Sequence, residues 1–254
     1  MKAIFFGDVV ADRGIDFLEE NIYRIRKEYS PDITIINGEN SANGNGVTAH
    51  SLKRLKSLGA DVITTGNHAF SKRDCVNVFE ENDFLLRPAN YPDGVVGNGY
   101  CVIDFGRTQV AVVNLMGTAY LEPIDNPFKK ADEIISRLET RNIIIDFHAE
   151  ATAEKKALAH YLRGRVTAVI GTHTHVQTAD ETILDGHTAY ITDVGMTGAM
   201  DSVLGVDSDI ATKKFITHFP CKFEISKNEQ FINAVLIEFD EHSGKATKIQ
   251  RIIK

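Results

Sequence analysis

The chain has little cysteine, no surplus of positive charge and no long apolar run, and each shortage excludes a class of protein. Its three cysteines, Cys75, Cys101 and Cys221, lie far apart and include no C-x-x-C pair. That excludes a disulfide framework and suits packing thiols in a reducing compartment. Formal net charge is -7, from 35 acidic against 28 basic residues, so no broad basic surface awaits duplex nucleic acid. RNA gains no support as a partner from this balance. A phosphate substrate stays open, because bound divalent cations reverse the sign locally. Met1 to Phe6 combines a positive charge with an apolar run, but Gly7-Asp8 breaks it well short of a signal-peptide core. No run approaches the roughly 20 apolar residues that span a bilayer. A cytoplasmic protein with no membrane partner is the expectation, and a homo-oligomer is compatible with it. The chain also lacks internal repeats, low-complexity tracts and linkers, so residues 1–254 are read as a single domain.

What is there is an ordinary core-forming composition, 43% hydrophobic and 25% charged. Short apolar runs alternate with helical patterns, which predicts an α/β fold. Ala3–Phe6 is a strand; Ile15, Leu18, Ile22 and Ile25 follow at helical spacing up to Tyr29, and Ile33–Ile36 is the next strand. Thr48 is placed to cap a helix running to about Leu58. Val62–Thr65 is a third strand, and Ser71 begins a helix toward Glu81. Tyr100–Phe105 and Gln109–Asn114 flank Gly106-Arg107 as a hairpin, so the sheets are mixed. Helices near 130–139 and up to Leu162, and strands at 143–147, 188–191, 231–239 and 247–253, complete the pattern.

The informative feature is how the apolar runs end. Five of them close in Asp8, in Glu39 with Asn40, in Asn67 with His68, in His148, and in His173 with His175. Singly, each has a bland explanation: a turn aspartate, a left-handed asparagine, a core histidine. Jointly they do not, because strand C-termini in an open α/β sheet gather along one rim. Three imidazoles, two carboxylates and amide oxygens without thiolate suit first-row divalent metals, Fe or Mn foremost and Zn as a further choice. The donors are too many for one tetrahedral ion and fit two ions sharing a carboxylate. Such a pair makes hydroxide available from a bridging water at neutral pH and steadies a phosphoryl group under attack. His68, beside Asn67 but free to point outward, is then the candidate proton donor to the leaving oxygen. His50, His160, His187, His218 and His242 do not sit at strand exits and are read as surface or structural. Lys72 and Arg87 are read as solvated or salt-bridged. The Gly- and Asn-rich loop 41–46 is a connector or a substrate-facing loop, and the 193–198 segment is a pocket wall or a glycine-demanding turn.

The strings Gly7-Asp8, Gly38-Glu39-Asn40, Gly66-Asn67-His68, His148 and Gly171-Thr172-His173-Thr174-His175 resemble the motif series of the calcineurin-like metallophosphoesterases. Asn37–Asn40, Asp146–Thr152 and Thr192–Gly198 are similar to the bacterial YmdB subfamily in particular. The resemblance spans nearly the whole chain. It implies a four-layer α/β/β/α sandwich, a binuclear centre and phosphodiesterase activity toward 2′,3′-cyclic nucleotides. By position it implies that Asp8 and His175 hold one metal, Asn67, His148 and His173 the other, and that Glu39 bridges them. Asn40 then contacts the first metal or its phosphate ligand, and His68 is the general acid. Two positions depart from the wider pattern: Val10 stands where many members have histidine, and Ala69 where many have an acid. The first departure leaves room for a regulatory protein that binds a nucleotide or RNA through its metal site with little turnover, and a phosphomonoesterase with the same metals is a second alternative.

Overall fold

The computed structural model describes residues 1–254. Fourteen strands and six helices follow one another as β1 (Lys2–Phe6), β2 (Asp8–Val9), α1 (Ala11–Tyr29), β3 (Ile33–Asn37), α2 (Ala49–Ser57), β4 (Val62–Thr64), α3 (Cys75–Glu80) and β5 (Leu85–Leu86). The hairpin β6 (Tyr100–Asp104) and β7 (Gln109–Met116) leads to α4 (Pro127–Arg137), β8 (Ile143–His148), α5 (Thr152–Leu162) and β9 (Ala168–Thr172). The chain ends with β10 (Thr182–Leu184), β11 (Thr188–Ile191), β12 (Met196–Ala199), α6 (Ser208–Thr217), β13 (Gln230–Phe239) and β14 (Ala246–Ile253).

These form two mixed sheets. The first runs β2-β12-β13-β1-β3-β4-β5, with β14 on the free edge of β13; the second runs β10-β11-β9-β8-β7-β6. In the first, β1, β3, β4 and β5 are parallel; in the second, β7, β8, β9 and β11 are. Their C-terminal ends therefore face one way within each sheet. The expected hairpin is present, with Asp104 opposite Gln109 and the Gly106 N–H donating to Asp104.

Alternation of side chains across each strand gives each sheet two apolar faces. Phe5, Ile33, Ile35 and Val62 of the first sheet meet Val110, Val112, Ile144 and Ile170 of the second in a core between the sheets. Ile4, Phe6, Ile36 and Ile63, on the other face of the first sheet, take the Ile15, Leu18, Ile22 and Ile25 stripe of α1 with Leu52 and Leu55 of α2. Val113, Ile145 and Val169 on the other face of the second sheet take Ala131 and Ile134 of α4 and Leu158 and Leu162 of α5. Thr48 caps α2 as predicted, in a reciprocal box with Ser51.

The structure differs from the sequence reading at several edges. Helix α1 begins at Ala11, before its apolar stripe, since Ala11 takes a left-handed φ of 57° that turns the chain straight from β2 into the helix. Helix α3 begins at Cys75 rather than Ser71. The 193–198 segment is only half turn, because Met196–Ala199 pairs with β2 and β13.

Candidate metal centre

Every predicted site residue lies at the C-terminal rim where the two sheets meet. Asp8 opens β2, Glu39 and Asn40 follow β3, Asn67 and His68 follow β4, His148 closes β8, and His173 to His175 follow β9. Asp8, Glu39 and His148 are fully buried, and Asn40 nearly so. Gly66 makes room for this convergence: a Cβ there would collide with the Glu39 carboxylate and the His148 ring. Glu39, Asn40, Asn45, His68, His173 and His175 line a cavity of about 290 Å³ that opens at the rim.

The protons of the three histidines can be placed from what lies behind each ring. His148 Nδ1 is 2.9 Å from Thr172 Oγ1, whose own proton goes to the Asp146 carboxylate at 2.7 Å. Because Thr172 spends its proton on Asp146, His148 donates from Nδ1 and turns its Nε2 to the site. His175 Nδ1 faces the Leu204 carbonyl at 3.1 Å, which can only accept, so Nε2 is again the free nitrogen. His173 Nε2 stands 3.0 Å from the Glu150 carboxylate, which favours the proton there and leaves Nδ1 free.

The freed atoms crowd one another. His148 Nε2 has Asn67 Oδ1 at 3.1 Å, Glu39 Oε2 at 3.1 Å and His173 Nδ1 at 3.0 Å. One ring nitrogen carries at most one proton, so it cannot satisfy three neighbours by hydrogen bonding. A cation can, and spacings of about 3 Å match the separation of adjacent ligands around an ion with bonds of about 2.1 Å. Glu39 Oε2 is buried without a hydrogen-bond partner, as is His68 Nδ1, although Glu39 Oε1 lies 2.9 Å from that nitrogen. A second group forms alongside: the Asn40 amide is 3.3 Å from Asp8 Oδ1 and 3.1 Å from His175 Nε2, and Asp8 and His175 are 3.7 Å apart. The Asn40 amide turns its nitrogen to both, and a 180° rotation would present its oxygen at the same place. No trio of His, Asp or Glu donors closes around one point by itself, and the Asn40 and Asn67 amides lie among them. The donor chemistry fits two first-row divalent ions.

The electrostatics are those of a site built for positive charge. Burial, the largest influence on Glu39, pushes its carboxyl up, but His148 and His68 outweigh it and hold it well below the ordinary range. Burial pulls the His148 imidazolium down, yet Glu39, Asp8 and Asp146 together push it up to about 9. Burial and the neighbouring His148 charge bring His173 down to about 3, so it is neutral. Burial raises Asp8 above the usual carboxylate range and Asp146 to about 7. One proton on His148 therefore occupies the place where an ion would balance the buried carboxylates.

Several contributors were not singled out in the sequence. Glu150, two residues beyond His148, backs His173; Leu204 offers only a carbonyl; Thr172 sits inside the Gly-Thr-His-Thr-His string without having been given a role. Asn45 settles the two readings of its loop: its amide is 3.2 Å from His68 Nε2, so the loop faces the site. The Lys72 ammonium holds that loop by the carbonyls of Asn43 and Gly44. Arg87 is spent on the carbonyls of Pro88, Val95 and Val96. Val10 is buried in a small apolar cluster with Ala11 and Met196, and Ala69 is buried in the core under α1 and α2. A histidine or an acid at those positions would meet hydrocarbon. The carboxylate nearest His68 Nδ1 is that of Glu39, at 2.9 Å.

The chain is similar over its whole length to proteins already known. A 2′,3′-cyclic-nucleotide 2′-phosphodiesterase of Bacillus subtilis is 46% identical over 255 residues, covering 100% of this chain and 97% of that protein. The crystal structure of a phosphatase from Mycoplasma pneumoniae superposes with a TM-score of 0.95 at 35% identity, covering 100% of this chain and 93% of that one. At the level of fold alone, a putative 5′-nucleotidase from Staphylococcus aureus matches with a TM-score of 0.61 at 15% identity, over 99% of this chain and 54% of that one. With two mixed sheets of this topology, a rim of metal-type donors and a match to the sequence model of the YmdB-like proteins over residues 4–252, the chain belongs to the YmdB-like family.

Proposed function

We propose that this chain is a binuclear metal-dependent phosphodiesterase acting on small nucleotides, with 2′,3′-cyclic nucleotides as its substrate class. The observation that carries the reading is the convergence of His148 Nε2 on His173 Nδ1 at 3.0 Å, Glu39 Oε2 at 3.1 Å and Asn67 Oδ1 at 3.1 Å, more neighbours than one proton can serve. The Bacillus subtilis relative's activity supports the substrate class. Asp8 and His175 with Asn40 would hold one ion, and Asn67, His148 and His173 the other, with Glu39 available to both; Fe or Mn would suit the mixed nitrogen and oxygen donors, and Zn is the next choice. When bound, the ions supply a nucleophilic hydroxide at neutral pH and charge stabilisation for the phosphoryl oxygens.

The chain's own residues do the rest. His68 Nε2 faces the cavity and donates the proton that the departing ribose oxygen needs. Glu39 Oε1 lies 2.9 Å from His68 Nδ1, and the Asn45 and Asn67 amides lie 3.2 and 3.3 Å from Nε2, so the ring sits between the buried carboxylate and the loop. Thr172, Glu150 and Leu204 each engage the other nitrogen of one site imidazole, His148, His173 and His175 in turn, which orients the site-facing nitrogen. We also read the three apolar cores as the boundaries of a four-layer α/β/β/α sandwich and residues 1–254 as one domain, since the core between the sheets is continuous from β1 to β11.

The test is metal analysis of the purified protein with activity reconstituted by Mn, Fe and Zn on a panel of cyclic diesters, linear diesters and monoesters. Metal-dependent turnover led by the cyclic diesters is expected. Faster turnover of monoesters would make it a phosphatase, and tight nucleotide binding without turnover would make it a binder.

A further inference from the structure

The segment Asp193-Val194-Gly195 links β11 of the second sheet to β12 of the first and crosses between them beside the site. We propose that Asp193, charge-balanced by Lys155, is a positioning residue that sets the His173–His175 turn in register with Asp8 across the seam between the sheets. This rests on the reading of those residues as metal ligands.

Lys155 of α5 and Asp193 are both buried, 1% and 0% exposed, with Nζ 2.7 Å from Oδ2. A buried ion pair is weak evidence of a stabilising role, because hydrophobic replacements of similar volume often serve the fold as well or better. The use of this pair lies in what else the carboxylate holds. Oδ2 accepts the Thr174 N–H at 2.9 Å and Oδ1 accepts the Gly195 N–H at 2.9 Å. Thr174 separates the two site histidines, and both of those have positive φ, 106° at His173 and 64° at His175. Positive φ is uncommon for a residue with a side chain and costs energy that the surroundings must offset, and here the peptide between the two histidines has an external tether. The Asp193 carboxylate is that tether.

The same segment reaches the other way. The Gly195 carbonyl accepts the Asp8 N–H at 3.1 Å, and a Cβ on Gly7 would strike that carbonyl. The Val194 N–H donates to Gly171 at 2.9 Å, clamping the start of the histidine turn. Three consecutive residues thus hold the backbone of Asp8 from the first sheet and of Thr174 from beyond the second. The His173 N–H closes the circuit onto Asp8 Oδ2 at 3.3 Å. Asp193 to Gly195 do not line the cavity, so the segment acts through the ligands it holds.

The experiment compares the wild type with Asp193→Glu, which keeps the charge but moves the carboxylate by one methylene, and with the double variant Lys155→Met/Asp193→Asn, which removes the buried charges together. Mn²⁺ affinity by calorimetry, thermal melting in EDTA and hydrogen exchange of amides 173–178 in the metal-free proteins are measured. The expected result is Mn²⁺ binding weakened about 10- to 100-fold in both variants, the range for partners that orient metal ligands. Exchange at 173–178 should be faster in both, whatever happens to the melting temperature. Wild-type affinity in either folded variant overturns the proposal and leaves the metal reading intact. Absence of Mn²⁺ binding by the wild type overturns both. Should both variants fail to fold, the wild type still decides: a protected Thr174 amide without metal supports the tether, and free exchange overturns it.

Discussion

The two sheets contribute to the rim in different ways. The first supplies oxygen: the carboxylates of Asp8 and Glu39 and the amides of Asn40 and Asn67. The second supplies all three metal-type imidazoles, His148, His173 and His175. The oxygen donors are held by burial and by short connections from β1, β3 and β4, and carboxylates need no tautomer chosen for them. Each imidazole has two nitrogens, so each needs a partner behind it, and each has one: Thr172 with Asp146 for His148, Glu150 for His173, the Leu204 carbonyl for His175. Nitrogen ligands thus demand more of the surrounding fold than oxygen ligands do.

The comparison can be broken most severely at His148, which faces three site residues at once. His148→Ala should remove one ion and lower kcat by about four orders of magnitude, consistent with loss of several kcal/mol of charge stabilisation; metal analysis and steady-state rates check this. His68→Ala is the contrast on the oxygen side. It should cost about 10²- to 10⁴-fold in kcat, the range for general acid catalysis, while metal content stays at the wild-type level. Lost metal in that variant would move His68 into the ligand set.

A subtler probe is Thr172→Val, which keeps the buried shape and takes away the acceptor behind His148. Metal affinity should fall about 10- to 100-fold with the fold intact, measured by competition with a chelating dye. The smallest effect expected is on proton coupling. His148 is pushed up to about 9 in the metal-free protein, so an ion must displace a proton below that pH. Affinity should therefore rise about tenfold per pH unit from 7 toward 9 and level off above; calorimetry in buffers of different ionisation enthalpy should count about one proton released. A flat profile would mean that the proton on His148 does not compete with the ion.

The convergence of the donor side chains was legible in the sequence because each follows an apolar run that reads as a buried strand, and parallel strands bring their ends together. The partners behind the histidines were not. Leu204 acts through its carbonyl, which no side-chain pattern reveals, and Glu150 looks like any polar residue ahead of a helix. Helix α6 escaped because it buries only Ala211, so the stripe that marked α1 is missing. Strand β5 is two leucines long, too short for a period. The carboxylate beside His68 comes from another strand, where sequence adjacency to Ala69 gives no hint.

The left-handed backbone at His173 and His175 bears on how the protein can change. At φ values of 106° and 64° glycine is at ease, and a side chain costs about 1–3 kcal/mol that the packing around it must offset. Substituting glycine at either position would leave the metal-free chain about as stable as before, since relief of that cost roughly cancels the extra freedom gained by the unfolded chain. Stability alone therefore gives no reason for an imidazole at either place. A screen for thermal tolerance in chelator would accept these glycines, whereas a screen for turnover would reject them, so the turn marks a point where durability and activity pull the sequence in opposite directions.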